Sequence, residues 1–144
     1  MFLLRVLICL LLGVSALAAE EWTTEDVYTR HQDSVLQVRI IDAKGGAKRS
    51  IGSGFMVSDD GRLVTNFHVV ADFVHHPADH RAEWLGSDGS SGPLQLLDVD
   101  VVHDLAVMQS EALAGRKFLA VESNLPKMGE RLFAMGFPYD LGLT

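Results

Sequence analysis

Between residues 31 and 108 the chain is cut into short apolar runs by turn signals, and no interval between them carries a 10–15-residue helical period. The runs are rich in β-branched residues. They fall at Val35–Ile41, Arg49–Ser58, Arg62–Asn66, Ala82–Gly86, Leu94–Val102 and Leu105–Met108. Lys44-Gly45-Gly46-Ala47-Lys48, Asp59-Asp60-Gly61 and Ser87–Gly92 separate them as turns. Six short strands in about 75 residues predict an all-β barrel or sandwich and exclude alternating β/α units. In the second run Ile51, Phe55 and Val57 share one face by the period of two. Gly52-Ser53-Gly54, inside that run, marks a close approach of backbone or a corner. The alternation slips at Leu96-Leu97, which predicts a bulge or bend.

The ends of the chain read differently. Residues 1–19 have the form of a secretory signal: Arg5 ahead of the apolar run Val6–Leu12, then Ala16-Leu17-Ala18 as a cleavage pattern. The other reading, a retained membrane anchor, must accommodate a run short of the roughly 20 residues a span needs. Cys9, the single cysteine, lies in that leader, so the exported part of about 125 residues has no disulfide and must depend on an apolar core or on partners. The formal charge of −7 becomes −8 once Arg5 is removed, and no Lys/Arg cluster interrupts it. A nucleic-acid partner is not expected of such a surface.

Residues 20–33 form a charged lead-in, in which Thr23 or Thr24 caps a short helix with Asp26 in its first turn. Phe67–Asp72 suits one helical turn packed on the barrel, and Phe73–Arg81 a polar loop. Residues 110–125 read as a turn-rich linker, with a strand resuming at Leu132–Met135. His75, His76, His80 and His103, with Asp79 or Glu83, invite a zinc or copper reading, but their spacing follows no firm ligand rule, and a surface loop is the preferred account. Gly52 and Gly54 lack the Lys-Ser/Thr and long helix of a phosphate cradle, and Asp98-Val99-Asp100 is too sparse for a calcium loop. No metal or other cofactor is expected. Phe55, Phe67, Phe73 and Trp84 are assigned to core or barrel-edge packing.

Within Ser50–Val70, His68 sits where the strand ends and a short helical turn begins, and Asp104 directly precedes the last run. A serine hydroxyl is a weak nucleophile until a neighbouring imidazole takes its proton, and that imidazole needs a carboxylate on its far nitrogen. The two residues are 36 apart, so only a folded barrel could join them. Thr65-Asn66-Phe67-His68-Val69-Val70, Asp104-Leu105-Ala106-Val107, Gly52-Ser53-Gly54-Phe55, and Gly129-Glu130-Arg131-Leu132 with Ala134–Pro138 occur in that order. They resemble four motifs of trypsin-like serine proteases of the HtrA (DegP-like) branch, with Phe67 where a small or polar residue is more usual. The resemblance runs from about Ser34 to Thr144.

That resemblance implies two perpendicular six-stranded barrels with the active site between them. Residues 34–122 would be the first, chymotrypsin-like barrel and 123–144 a linker and the start of a truncated second. It implies His68 and Asp104 as catalytic residues, with the serine, the oxyanion donors and the specificity pocket beyond Thr144. Of the serines present, Ser53 alone has glycine on both sides, and the family uses that strand structurally. The resemblance further implies an exported serine endopeptidase, in a bacterial periplasm, acting on unfolded or misfolded proteins and peptides. A homotrimer and a following PDZ domain are common in the branch. No stable membrane span is expected after signal cleavage, and the fragment alone is expected to be inactive. The alternative is a non-catalytic trypsin-like module that binds peptides or partners.

Overall fold

The structure, a computed structural model, describes residues 22–137; the signal sequence read at 1–19 lies outside the described residues. Helix α1 (Thr24–His31) leads through a 3₁₀ turn at Gln32–Ser34 into β1 (Val35–Asp42). Then come β2 (Lys48–Met56), β3 (Arg62–Thr65), helix α2 (Phe67–His75), β4 (His80–Leu85), β5 (Ser91–Asp100) and β6 (Leu105–Gln109). The six strands close into an antiparallel barrel in the order β1-β2-β3-β6-β5-β4. Each strand has a hydrogen-bonded neighbour on both sides, so the sheet has no free edge strand. A second barrel is not among the described elements.

The interior is built from alternate residues. Leu36, Val38 and Ile40 of β1 meet Met56, Leu63 and Met108, all fully buried. Burying each side chain of this size contributes about 1.5–3 kcal/mol. On β2 the inward positions are Gly52, Gly54 and Met56, so the shared face of Ile51, Phe55 and Val57 is the outer one, and Phe55 is exposed. The reason is space. A Cβ on Gly54 would stand 2.8 Å from Leu63 Cδ1 and 2.9 Å from Val38 Cγ2, and one on Gly52 would run into the Val69 side chain. The two glycines let β3 and α2 close over the barrel.

The β2–β3 turn depends on Gly61, whose φ is +86° and whose missing Cβ leaves room for the Ser110 carbonyl. The expected irregularity in β5 is present: the register against β6 shifts between Leu96 and Asp98, so Leu97 is extra and exposed. Arg39 of β1 stands directly opposite Glu83 of β4, and their side chains pair at 3.2 Å. Gln37 Oε1 and Arg39 Nε are buried without a described partner.

Three local expectations need correction. Helix α2 runs to His75, because Val69, Val70, Phe73 and Val74 fall on one face and pack on the core. The polar loop is therefore short, and β4 already begins at His80. Residues 110–125 are not wholly linker: Glu111–Leu113 is a 3₁₀ turn that puts Leu113, fully buried, into the core, and Trp84 Nε1–H donates to Ser110 Oγ at 3.2 Å. Leu132–Met135 is not a strand; no described strand lies beside it to complete a ladder. Across residues 121–133 the side chains of Val121, Leu125, Met128, Leu132 and Phe133 are exposed.

Candidate active site

β3 ends at Thr65 and β6 begins at Leu105, and the two strands are antiparallel neighbours with Thr65 beside Ala106. The residues that follow one strand and precede the other must then meet. This places Asn66, Phe67 and His68, at the start of α2, against Asp104.

Asp104 binds this segment through both main chain and side chain. Its carbonyl oxygen accepts the Phe67 N–H at 3.1 Å and an Asn66 Nδ2 hydrogen at 3.0 Å. Its Oδ1 accepts the His68 N–H at 2.8 Å, and its Oδ2 lies 2.7 Å from His68 Nδ1 and 3.2 Å from Asn66 Nδ2. Asn66 holds the N-cap position of α2 but its own side chain does not cap the helix. Asp104, just ahead of the neighbouring strand β6, supplies the missing acceptor, and its negative charge meets the positive end of the helix.

Asp104 has φ +56°, in the left-handed region, where aspartate is one of the few non-glycine residues found. The hydrogen bonds to its carbonyl and carboxylate hold that conformation. The His68 N–H, first, and the His68 ring, second, keep the Asp104 carboxyl below the ordinary carboxylate range. An ionised Asp104 can only accept, so in the neutral imidazole Nδ1 of His68 carries the proton and Nε2 presents a lone pair. Such a nitrogen can take a proton from a hydroxyl. Both side chains stay accessible, His68 at 71% and Asp104 at 43%.

The other sequence candidates lie apart from this pair. Among the described residues no serine hydroxyl is hydrogen-bonded to His68. Ser53 Oγ accepts the Phe137 N–H at 2.6 Å, and its carbonyl accepts the Thr65 hydroxyl at 2.8 Å, a structural tie between β2, β3 and the segment leaving the barrel. His103 Nδ1 is 2.7 Å from Asp100 Oδ2. The His76 and His80 rings are 6.4 Å apart, and among the described residues no group of three or more ligand types gathers as a metal site would require. Sequence reading missed the bracing role of Asn66. Its signal was a cap-type residue just before α2, which would ordinarily have been assigned to local capping.

A family model described as a trypsin-like peptidase domain matches residues 52–144. The Xenopus laevis serine protease HTRA1 is 32% identical over 124 residues, covering 83% of this chain and 26% of that protein. A probable periplasmic serine endoprotease, DegP-like, from Brucella suis is 38% identical over 96 residues, covering 65% of this chain and 17% of the relative. The chain thus spans about a quarter or less of these relatives. Among solved structures, Deg5 superposes with a TM-score of 0.54 at 25% identity, covering 67% of this chain and 46% of Deg5. The serine endoprotease from Yersinia pestis shares the fold with a TM-score of 0.58 at 22% identity, covering 76% of this chain and 37% of that one. With the barrel, the motif order and these matches in agreement, the chain belongs to the trypsin-like serine protease family, in the branch related to HtrA and DegP.

Proposed function

We propose that this chain is the N-terminal part of an exported HtrA-like serine endopeptidase in which His68 is the general base and Asp104 its orienting carboxylate. The observation that carries the reading is the 2.7 Å contact between His68 Nδ1 and Asp104 Oδ2, made while the same carboxylate holds the His68 N–H. Residues 34–122 form the first barrel, and 123–144 lead into a second. The row of exposed apolar side chains from Val121 to Phe133 supports a further layer packing there. The serine and the oxyanion donors come from beyond Thr144.

In this mechanism a serine hydroxyl attacks the scissile carbonyl while Nε2 of His68 takes its proton. The imidazolium is stabilised by Asp104 and then protonates the leaving amine, leaving an acyl-serine. Water, deprotonated by the same nitrogen, hydrolyses the ester and returns the proton to the serine. Main-chain N–H groups stabilise the tetrahedral oxyanion. The substrates are unfolded or misfolded exported proteins, the compartment is the bacterial periplasm, and the assembled protein is a homotrimer. The 144-residue chain by itself is inactive.

The test compares the full reading frame with the 144-residue chain in fluorophosphonate labelling and casein hydrolysis. The full protein is expected to be labelled and active, with His68→Ala lowering kcat by on the order of 10³-fold or more. Full activity in His68→Ala would sink the reading. Absence of labelling in a well-folded full-length protein would favour a non-catalytic binding module.

A further inference from the structure

The end of the barrel opposite His68 carries a second feature. β3 and β6 pair with Thr65 beside Ala106 at one end and Arg62 beside Gln109 at the other. Asn66 and Asp104 continue from the first end. From the second, Ser110 N–H donates to the Gly61 carbonyl at 3.1 Å and Gly115 N–H to the Asp59 carbonyl at 2.8 Å. The two ends are thus separated by at least the length of β3, on the order of 10 Å.

At this second end lies an open groove of about 460 Å³, lined by Arg30, His31 and Ser34 and by Asp59 and Gly115–Phe118. That volume is in the range of ligand-binding clefts. Three cations and an imidazole line it against the single carboxylate of Asp59, in a chain whose net charge is −7. Arg116 is already engaged: its guanidinium donates to Ser90 Oγ at 2.7 Å, approaches Asp88 at 3.5 Å and lies 4.9 Å over the Trp84 ring. Arg30 stacks 4.1 Å over Trp22, which orients its guanidinium without neutralising it. Asp26, one turn back on α1, is the acid that feels its charge. Among the described residues neither Arg30 nor Lys117 makes an ion pair, and the N–H groups of Lys117 and Phe118 have no acceptor. Phe118 adds a half-exposed ring, 48% accessible.

We propose that this groove binds an acidic peptide segment. Its carboxylates pair with Arg30 and Lys117, its carbonyl groups accept the free N–H groups of Lys117 and Phe118, and its apolar atoms cover the Phe118 ring. The combination of main-chain donors and an aromatic surface fits an extended chain better than a small inorganic anion, which uses only charge and donors. The site is distinct from His68 and Asp104, and its occupancy does not depend on their chemistry.

The test is fluorescence anisotropy with the full-length protein and a dye-labelled hexaglutamate peptide blocked at both ends. Saturable binding is expected, weakened by added salt. The Arg30→Glu/Lys117→Glu variant is expected to bind roughly tenfold more weakly, as loss of two exposed charge pairs implies. Lys44→Glu, at the distant β1–β2 turn, changes the net charge without touching the groove and is expected to leave binding unchanged. Because reversal of two charges could disturb α1, Lys117→Gln serves as the milder variant, with an expected weakening of about threefold. The proposal is overturned by absence of saturable binding, by an equal loss in Lys44→Glu, or by no loss in Lys117→Gln. It is also overturned if inorganic phosphate displaces the probe as effectively as unlabelled hexaglutamate, which would make this a small-anion site. No readout in this experiment involves peptide-bond hydrolysis, so its failure and failure of the proposed protease mechanism are separately visible.

Discussion

The carboxylate of Asp104 holds His68 at two points, the backbone N–H at 2.8 Å and ring Nδ1 at 2.7 Å. One side chain thereby caps a helix and sets a tautomer. The two functions respond differently to substitution. In Asp104→Asn an amide oxygen can still accept the His68 N–H, but the amide nitrogen then faces Nδ1 and forces it to accept. The neutral imidazole is expected to move its proton to Nε2, while Asp104→Ala loses the cap as well. Ring ¹⁵N shifts of His68 distinguish the tautomers, and hydrogen exchange at the His68 amide reports the cap. Unchanged ring shifts in Asp104→Asn would show that Asp104 does not set the tautomer.

Acid is expected to weaken the fold through a set of surface carboxylates. Asp26 is held below its ordinary value first by the Thr23 hydroxyl, Asp42 by the Gly45 N–H, Asp88 by the Ser90 hydroxyl and Asp104 by the His68 N–H. Each folded-state pKa lies below the usual 3.8, so each contribution is complete above that value and is lost as pH falls through the folded pKa. Urea midpoints should fall as pH drops below about 4. A midpoint unchanged between about pH 5 and pH 2 would contradict the assignment.

Gly54→Ala tests the close packing of β2. The added methyl would meet Leu63 Cδ1, Val38 Cγ2 and, at 3.2 Å, the Val64 carbonyl. Overpacking of this kind costs about 1–3 kcal/mol, read as a lower urea midpoint with unchanged m-value. No loss would mean that β3 stands further from β2 than described.

Leu113→Ala tests whether the turn after β6 belongs to the barrel core. Leu113 is fully buried, and its truncation should cost about 2–5 kcal/mol. A cost near zero would return residues 110–125 to the linker that the sequence suggests.

Ser53→Ala removes the acceptor of the Phe137 N–H and leaves the barrel interior unchanged. The expected loss is roughly 0.5–1.5 kcal/mol, localised to the departing segment. Hydrogen exchange should speed at Phe137 while the amides of β1 and β6 stay protected. Equal acceleration everywhere would make Ser53 a determinant of the barrel itself.

Much of this protein was legible before folding was considered. The β-branched runs and their turns determine six strands, because residues that pack well on a pleated surface and glycines that permit tight reversals are local properties. Thr23 or Thr24 ahead of an acidic turn signalled the helix start for the same reason, and the structure selects Thr23, in a reciprocal capping box with Asp26. The doubled apolar pair Leu96-Leu97 showed the bulge in β5.

Tertiary structure decided the rest. That Gly52 and Gly54 face inward, with Phe55 outward, depends on what fills the barrel from β3 and α2. The length of α2 depends on the core its apolar face finds. Most of all, His68 and Asp104 are 36 residues apart, and nothing local relates them. They meet because β3 and β6, far apart in sequence, are hydrogen-bonded neighbours in a closed sheet, a non-local pairing that no local propensity specifies.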